Sequence, residues 1–157
     1  MRKFEKISLE QFMKDVNNEE LYNSYSIPVR KTKNSGGYDI FSLIDYDLKP
    51  KESIIIPTGI KCLLPGDEIL MIIIRSSLGF KHGIRLVNQV GIIDADYYNN
   101  GDNEGHIFIK IENTSEKIFS FKIGDAIAQG LFIKYGTIDN EEEIIAERKG
   151  GIGSTGK

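Results

Sequence analysis

Tryptophan is absent from this chain of 157 residues, and cysteine, histidine and proline are sparse, at one, two and four copies. A single cysteine, Cys62, cannot close an internal disulfide or furnish a thiolate metal cage. Its expected role is that of a small buried apolar side chain in a reducing compartment. The two histidines, His82 and His106, lie far apart with no further ligands grouped around them, so they argue for no zinc site and read as ordinary surface or loop residues. Long apolar runs are also missing. The longest, residues 69–74, is too short to cross a bilayer. The polar start Met1-Arg-Lys-Phe-Glu-Lys6 leads into no signal-peptide core. The expected location is the cytoplasm. Nor is there an excess of positive charge: 20 Lys and Arg against 23 Asp and Glu leave a net charge of -3. That balance excludes general affinity for nucleic acid backbones and leaves phosphate binding to a local cluster.

What is present is an ordinary globular composition, 40% apolar and 27% charged, of a size for one domain with its own core. Residues 8–16 predict a helix: Ser8 can cap it, and Leu9, Phe12, Met13 and Val16 share a face. From residue 27 onward, short apolar runs alternate with Gly, Pro, Asn and Asp. They predict strands at 27–31, 38–42, 53–57, 59–63, 68–74, 84–86, 106–112, 118–121, 127–134 and 143–146. Residues 45–50 and 65–67 read as turns. Many short strands at this spacing indicate a sandwich or barrel. The domain spans 1–157, with residues 1–26 as an N-terminal helical extension and 147–157 as a flexible glycine-rich arm.

Five segments carry chemistry. In Ser35-Gly-Gly-Tyr-Asp-Ile-Phe41 the glycines permit unusual backbone angles just before an acid, Asp39, although taken alone the segment reads first as a plain turn. In Ile74-Arg-Ser-Ser-Leu-Gly79 a planar cation, Arg75, and two hydroxyls, Ser76 and Ser77, follow an apolar strand; this is either a phosphate clamp or a loop with a surface arginine. In Leu86-Val-Asn-Gln-Val-Gly-Ile-Ile-Asp-Ala-Asp-Tyr97, Asn88 can offer a base edge both a donor and an acceptor. Gly91 lets a ligand approach the backbone, and Asp94 follows two isoleucines, where a carboxylate can be poised as a general base or simply cap a turn. In Lys122-Ile-Gly-Asp-Ala-Ile-Ala-Gln129, the amide of Gln129 stands in an apolar strand and needs partners, structural or ligand. In Gly150-Gly-Ile-Gly-Ser-Thr-Gly156, backbone amides with Ser154 and Thr155 could wrap phosphate oxygens, or form a loose end.

In order and spacing these segments resemble the five motifs of the trimeric dUTP diphosphatase family, over residues 27–157. The resemblance implies an all-β jelly roll or distorted β-barrel with a short N-terminal helix, assembled as a homotrimer with active sites shared between subunits. It implies that dUTP is split to dUMP and pyrophosphate, which clears dUTP and supplies dUMP for thymidylate synthesis. Asp94 matches the carboxylate that activates the attacking water, and Tyr97 the tyrosine under the deoxyribose. Asn88 and the hairpin around Gly91 match the uracil-reading element. Arg75, Ser76, Ser77, Gln129, Ser154 and Thr155 match phosphate contacts. Asp39 matches an acid reaching the water shell of Mg²⁺. That cation suits the chemistry: a triphosphate with about four negative charges must be partly neutralised before phosphorus can be attacked. Mg²⁺ keeps its waters and needs few protein ligands.

The chain also departs from the family pattern. Ile152 stands where the family has a phenylalanine that stacks on uracil. The arginine expected five residues before it falls on Glu147, with Arg148 one place later, and Ala126 replaces a basic residue. A longer loop, Tyr98-Asn-Asn-Gly-Asp-Asn-Glu-Gly105, follows the third motif, and Tyr98 is the candidate to replace the missing ring. A deaminase acting on dCTP shares the fold but needs a glutamate where alignment places Lys110, with Glu112 nearby. A nucleotide-binding regulatory module is a further alternative, which pyrophosphate release would exclude.

Overall fold

The structure is a computed structural model and describes residues 1–146 and 148–153. It opens with β1 (Lys3–Lys6), α1 (Leu9–Asp15) and α2 (Glu19–Ser24), followed by β2 (Tyr38–Phe41), β3 (Tyr46–Leu48), β4 (Ser53–Pro57), β5 (Ile60–Leu63) and β6 (Glu68–Ile74). Helix α3 (Ser76–His82) leads to β7 (Ile84–Leu86), β8 (Gly91–Ile93) and a 3₁₀ turn (Ala95–Tyr97). Then come β9 (Phe108–Asn113), β10 (Phe119–Phe121) and β11 (Ala126–Lys134). All named strand pairs are antiparallel. The orders are β2-β11-β6-β8, β4-β9-β7, β1-β5 and β10-β3. This is the expected all-β, jelly-roll-like barrel.

The strands form where β-branched side chains alternate between core and surface. Ile40, Ile56, Leu70, Ile84, Ile111 and Ile127 are essentially sealed from solvent. Cys62 is among the buried side chains, and burial pushes its thiol up to about 12, so it is unreactive at neutral pH.

The N-terminal residues are built into the barrel rather than appended to it. Ser8 caps α1 by accepting from the Gln11 amide at 3.1 Å, and Asn18 caps α2 by accepting from Leu21 at 3.0 Å. β1, which the sequence did not mark, pairs with β5. Ile7 and Phe12 are fully buried, and Phe12 stacks on Tyr25 with ring centroids 5.2 Å apart. Truncating Phe12 to alanine would cost about 3–5 kcal/mol, as for other large core side chains.

Several predicted elements change. Segment 27–31 contributes only one bridge, Val29 to Asp39, and 143–146 forms no strand. Tyr46–Leu48, read as part of a turn, pairs with β10, and Gly91–Ile93 pairs with β6. The second motif is a helix, not a loop. Two serines and a mid-helix glycine give α3 poor intrinsic propensity. Buried Leu78 anchors it, and Gly83, in the left-handed region at φ 65°, ends it with its N–H on the Gly79 carbonyl at 3.2 Å.

Candidate active site

β6 organises the site because it pairs with β11 on one side and β8 on the other. Gly91 faces Ile72, and a Cβ on Gly91 would come within 3.3 Å of the Ile72 Cβ, so a side chain there would press on the neighbouring strand. Asn88 sits in the turn before Gly91, where Gln89 adopts a positive φ of 62°. Asn88 and Gly91 line a cavity of about 420 Å³ with Leu86, Phe108, Lys110 and Ile152. That volume lies in the range of small-ligand pockets.

Asp94 leaves β8 in extended conformation and enters the 3₁₀ turn. It lines an adjoining cavity of about 190 Å³ with Tyr97, Phe108, Arg148 and Ile152; Phe108 and Ile152 border both cavities. Arg148, only 12% exposed, donates to Asp94 and to Asp96, each at 2.8 Å, and its guanidinium lies 5.7 Å from the centre of the Tyr97 ring. Buried Tyr97 donates its hydroxyl to the His106 carbonyl at 3.0 Å and accepts from the Asn103 amide at 3.0 Å.

The second and fourth motifs meet elsewhere on the same sheet. Asp39 on β2 pairs with Gln129 on β11, and Arg75 follows β6. These three line a cavity of about 260 Å³ together with Ser76, Ser77 and Lys31. A Cβ on Gly37 would lie 2.3 Å from the Gln129 side-chain oxygen, so a side chain there would displace the Gln129 amide from its present position. Asp39 is 5% exposed. Its Oδ1 lies 3.2 Å from Arg75 Nε, and its Oδ2 is 4.0 Å from Lys31 Nζ and has no hydrogen-bond partner.

The two groups occupy opposite ends of β6. Ile93 pairs with Leu70, so Asp94 lies beyond that end, whereas Arg75 follows Ile74 at the other. Six residues at about 3.4 Å each separate Asp94 from Arg75 by roughly 20 Å within one chain.

Other predicted residues fall as follows. Ile152 is exposed beside both cavities. Ser154 and Thr155 lie outside the described residues. Tyr98, the candidate for the missing ring, is placed away from both cavities: its hydroxyl donates to Glu5, and Lys61 sits 5.2 Å from its ring centre. Tyr97 and Tyr98 adjoin in sequence, and the chain turns extended at Tyr98, so the two rings go to different places. His106 lies in the loop before β9, as one expected alternative had it, but it is fully buried rather than on the surface. Glu112 pairs with Arg85 at 3.0 Å, while Lys110 faces the larger cavity, an arrangement that gives a deaminase no glutamate there. Lys31, Arg148 and His106 were not among the predicted site residues. Only Arg148 had a sequence signal, the displaced arginine of the fifth motif.

Residues 23–156 match the dUTPase family model. The deoxyuridine 5'-triphosphate nucleotidohydrolase of Lactococcus lactis is 42% identical over 132 residues, covering 83% of this chain and 88% of that protein. Its counterpart in Dictyoglomus turgidum is 36% identical over 146 residues, covering 88% and 95%. Among solved structures, the dUTPase of Streptococcus mutans superposes with a TM-score of 0.71 at 34% identity, covering 87% of this chain and 98% of that one. A dUTPase from phage phi11 of S. aureus shares the fold at 21% identity, with a TM-score of 0.65 over 91% of this chain and 96% of that one.

Proposed function

Since the chain belongs to the dUTPase family and is a dUTP diphosphatase, we propose that Asp94 is its general base, in a Mg²⁺-dependent reaction at sites shared within a homotrimer. The observation that carries this reading is the position of Asp94. It lines a cavity beside Tyr97 that borders the one lined by Asn88 and Gly91. A nucleotide with its base at Asn88 and its sugar on Tyr97 would bring its α-phosphate to Asp94.

Asn88 and the backbone around Gly91 read the uracil edge, and a donor–acceptor set that the bound base covers rejects a base that leaves its groups unpaired. Tyr97 packs under the deoxyribose and leaves no room for a 2′-hydroxyl. Asp94 takes a proton from water as the water oxygen bonds to the α-phosphorus. The bond from that phosphorus to the bridging oxygen breaks, and dUMP and pyrophosphate result. Arg148 orients the Asp94 carboxylate through its 2.8 Å contact. Exposed Ile152 covers the base where the family places a ring, and Ser154 and Thr155 close over the triphosphate.

Arg75, Ser76, Ser77 and Gln129 hold the phosphates, joined by Lys31. The roughly 20 Å between Arg75 and Asp94 supports a trimer, because a neighbouring subunit can supply the phosphate contacts that one chain keeps apart. Asp39 fits an outer-shell role toward Mg²⁺, since its unpartnered Oδ2 can accept from a coordinated water. When bound, the cation neutralises charge on the triphosphate. The reaction removes dUTP and supplies dUMP for thymidylate synthesis. A lone, buried, unreactive Cys62 suits the cytoplasm.

The test is pyrophosphate release from dUTP with and without Mg²⁺, for wild type and Asp94→Asn, with mass measured in solution. Wild type is expected to turn over only with the metal and to run at three times 17.7 kDa. Asp94→Asn should lose about 10³-fold in kcat, within the range for a general base. An inactive wild type, or an active Asp94→Asn, would overturn the reading.

A further inference from the structure

His106 reaches three parts of the molecule at once. Its buried ring accepts at Nε2 from the Gly59 amide at 2.8 Å, and its Nδ1 lies 2.6 Å from Asp15 Oδ2 at the end of α1. Because the Gly59 N–H can only donate, the ring proton must sit on Nδ1 and point at Asp15. The His106 carbonyl accepts from the Tyr97 hydroxyl at 3.0 Å, and the His106 amide donates to the Asn103 carbonyl at 2.9 Å. The ring also packs on Phe108, with centroids 4.1 Å apart, and Phe108 borders both site cavities.

The other end of α1 holds the same segment. The Ser8 amide donates to Glu104 Oε2 at 3.0 Å, so the two ends of the helix grip residues 104 and 106. Asp15 is steadied in turn by the Gln11 side chain at 2.9 Å. Along the path from Asp15 through His106 to Tyr97, both imidazole nitrogens, the His106 carbonyl and the Tyr97 hydroxyl are partnered. Such a network holds a ring to one orientation only while it remains complete.

We propose that Asp15 and His106 are positioning residues for sugar selection: α1 fixes the peptide that fixes Tyr97, and so tunes the preference for deoxyribose over ribose. The inference rests on the reading of Tyr97 as the sugar platform. A steric filter against one added hydroxyl is only as sharp as its wall is rigid, and the wall here is held from the N-terminal helix. Removing the Asp15 carboxylate leaves the Nδ1–H of His106 buried without a partner. The ring and its carbonyl then settle elsewhere, and the Tyr97 hydroxyl loses its fixed acceptor.

The experiment compares kcat and KM for dUTP and UTP in the full-length protein. In Asp15→Ala and in Tyr97→Phe the ratio of kcat/KM for dUTP over UTP should fall about tenfold, the effect of one mis-set hydrogen bond. In Asp15→Ala the change should lie in a raised KM for dUTP and faster use of UTP, with kcat for dUTP nearly kept. The double variant should fall no further than either alone, because both break one path. Asp15→Asn, which can still accept from Nδ1–H, should retain the wild-type ratio. An unchanged ratio in Asp15→Ala, or equal losses for both substrates, overturns the proposal. Should Asp15→Ala not fold, Tyr97→Phe decides, since it leaves the Asp15–His106 pair intact; a wild-type ratio there overturns it equally. Tyr97→Ala separates the two layers. An unchanged ratio in that variant removes the sugar-platform reading itself, whereas a collapsed ratio there with a normal Asp15→Ala removes only the role of the helix.

Discussion

Around Tyr97, buried polar groups are fully partnered: hydroxyl to carbonyl, amide to hydroxyl, imidazole to amide and carboxylate. Around Asp39, a carboxylate that is 5% exposed keeps one oxygen without any donor, between Arg75 and Lys31. An unpartnered buried carboxylate oxygen is costly, and native proteins keep such a group where a ligand or ion completes it. The two regions thus divide the work. The polar groups around Tyr97 are complete within one chain, whereas Asp39 keeps an unpaired acceptor, in keeping with the proposed nucleoside and phosphate ends. In the proposed trimer, their separation along β6 makes the comparison also one between subunits.

The largest predicted effect follows from that separation. Arg75→Ala and Asp94→Asn should each reduce turnover of dUTP about 10²- to 10³-fold when made alone. Co-expressed, they should recover part of it, because random mixing in a shared-site trimer leaves about one site in four with both groups intact. Pyrophosphate release from purified mixed trimers measures this. Mixtures no more active than the separate variants would place both groups in one chain's site and erase the division.

Next in size is the cation dependence of the phosphate end. Asp39→Asn should raise the Mg²⁺ concentration for half-maximal rate about tenfold, as expected when a charge-assisted contact to a coordinated water is lost. The dUTP to UTP ratio should stay where it is. A shifted ratio with an unmoved Mg²⁺ curve would reverse the assignment of the two regions.

The same division explains what was legible in the sequence. Motif residues sit where chemistry fixes residue type and spacing, so Asp39, Arg75, Asn88, Asp94, Tyr97 and Gln129 could be marked as candidates in advance, and the structure gathers them into its cavities. Strands such as β4 and β6 were legible because apolar residues run there between turn signals. α3 was not, because Leu78 packing and the Gly83 terminator outweigh poor propensity only once the barrel exists. β1 is a short polar-looking stretch whose pairing partner lies more than fifty residues away. His106 was missed for a related reason. Nothing in the local sequence shows that Gly59 and Asp15 will meet its two nitrogens.

Protonation of His106 gives a smaller effect, on stability. Burial holds its pKa below the ordinary value, although Asp15, through its hydrogen bond and charge, and Glu104 oppose the shift. The unfolded chain therefore binds a proton that the folded chain resists, starting near pH 6.5. Stability from this group is complete above that pH and is lost as pH falls toward the depressed folded value, by at most about 1.4 kcal/mol per unit. Thermal melts of wild type and His106→Gln at pH 7.5 and 5.5 test the sign. The wild type should lose more on acidification than the variant, and parallel losses would show that His106 does not contribute.

The smallest effect concerns Tyr98, next to Tyr97 in sequence but outside both cavities. Its hydroxyl serves Glu5, whose carboxyl Lys3 and Tyr98 together hold below the usual range. Tyr98→Phe should therefore cost about 0.5–1.5 kcal/mol of stability, the ordinary contribution of one hydrogen bond, and leave KM for dUTP unchanged. Chemical denaturation and steady-state kinetics on the same preparation check both halves. A raised KM with unaltered stability would bring Tyr98 back to the base cavity. The boundary of the preformed nucleoside end would then lie one residue beyond Tyr97, across the loop that α1 holds.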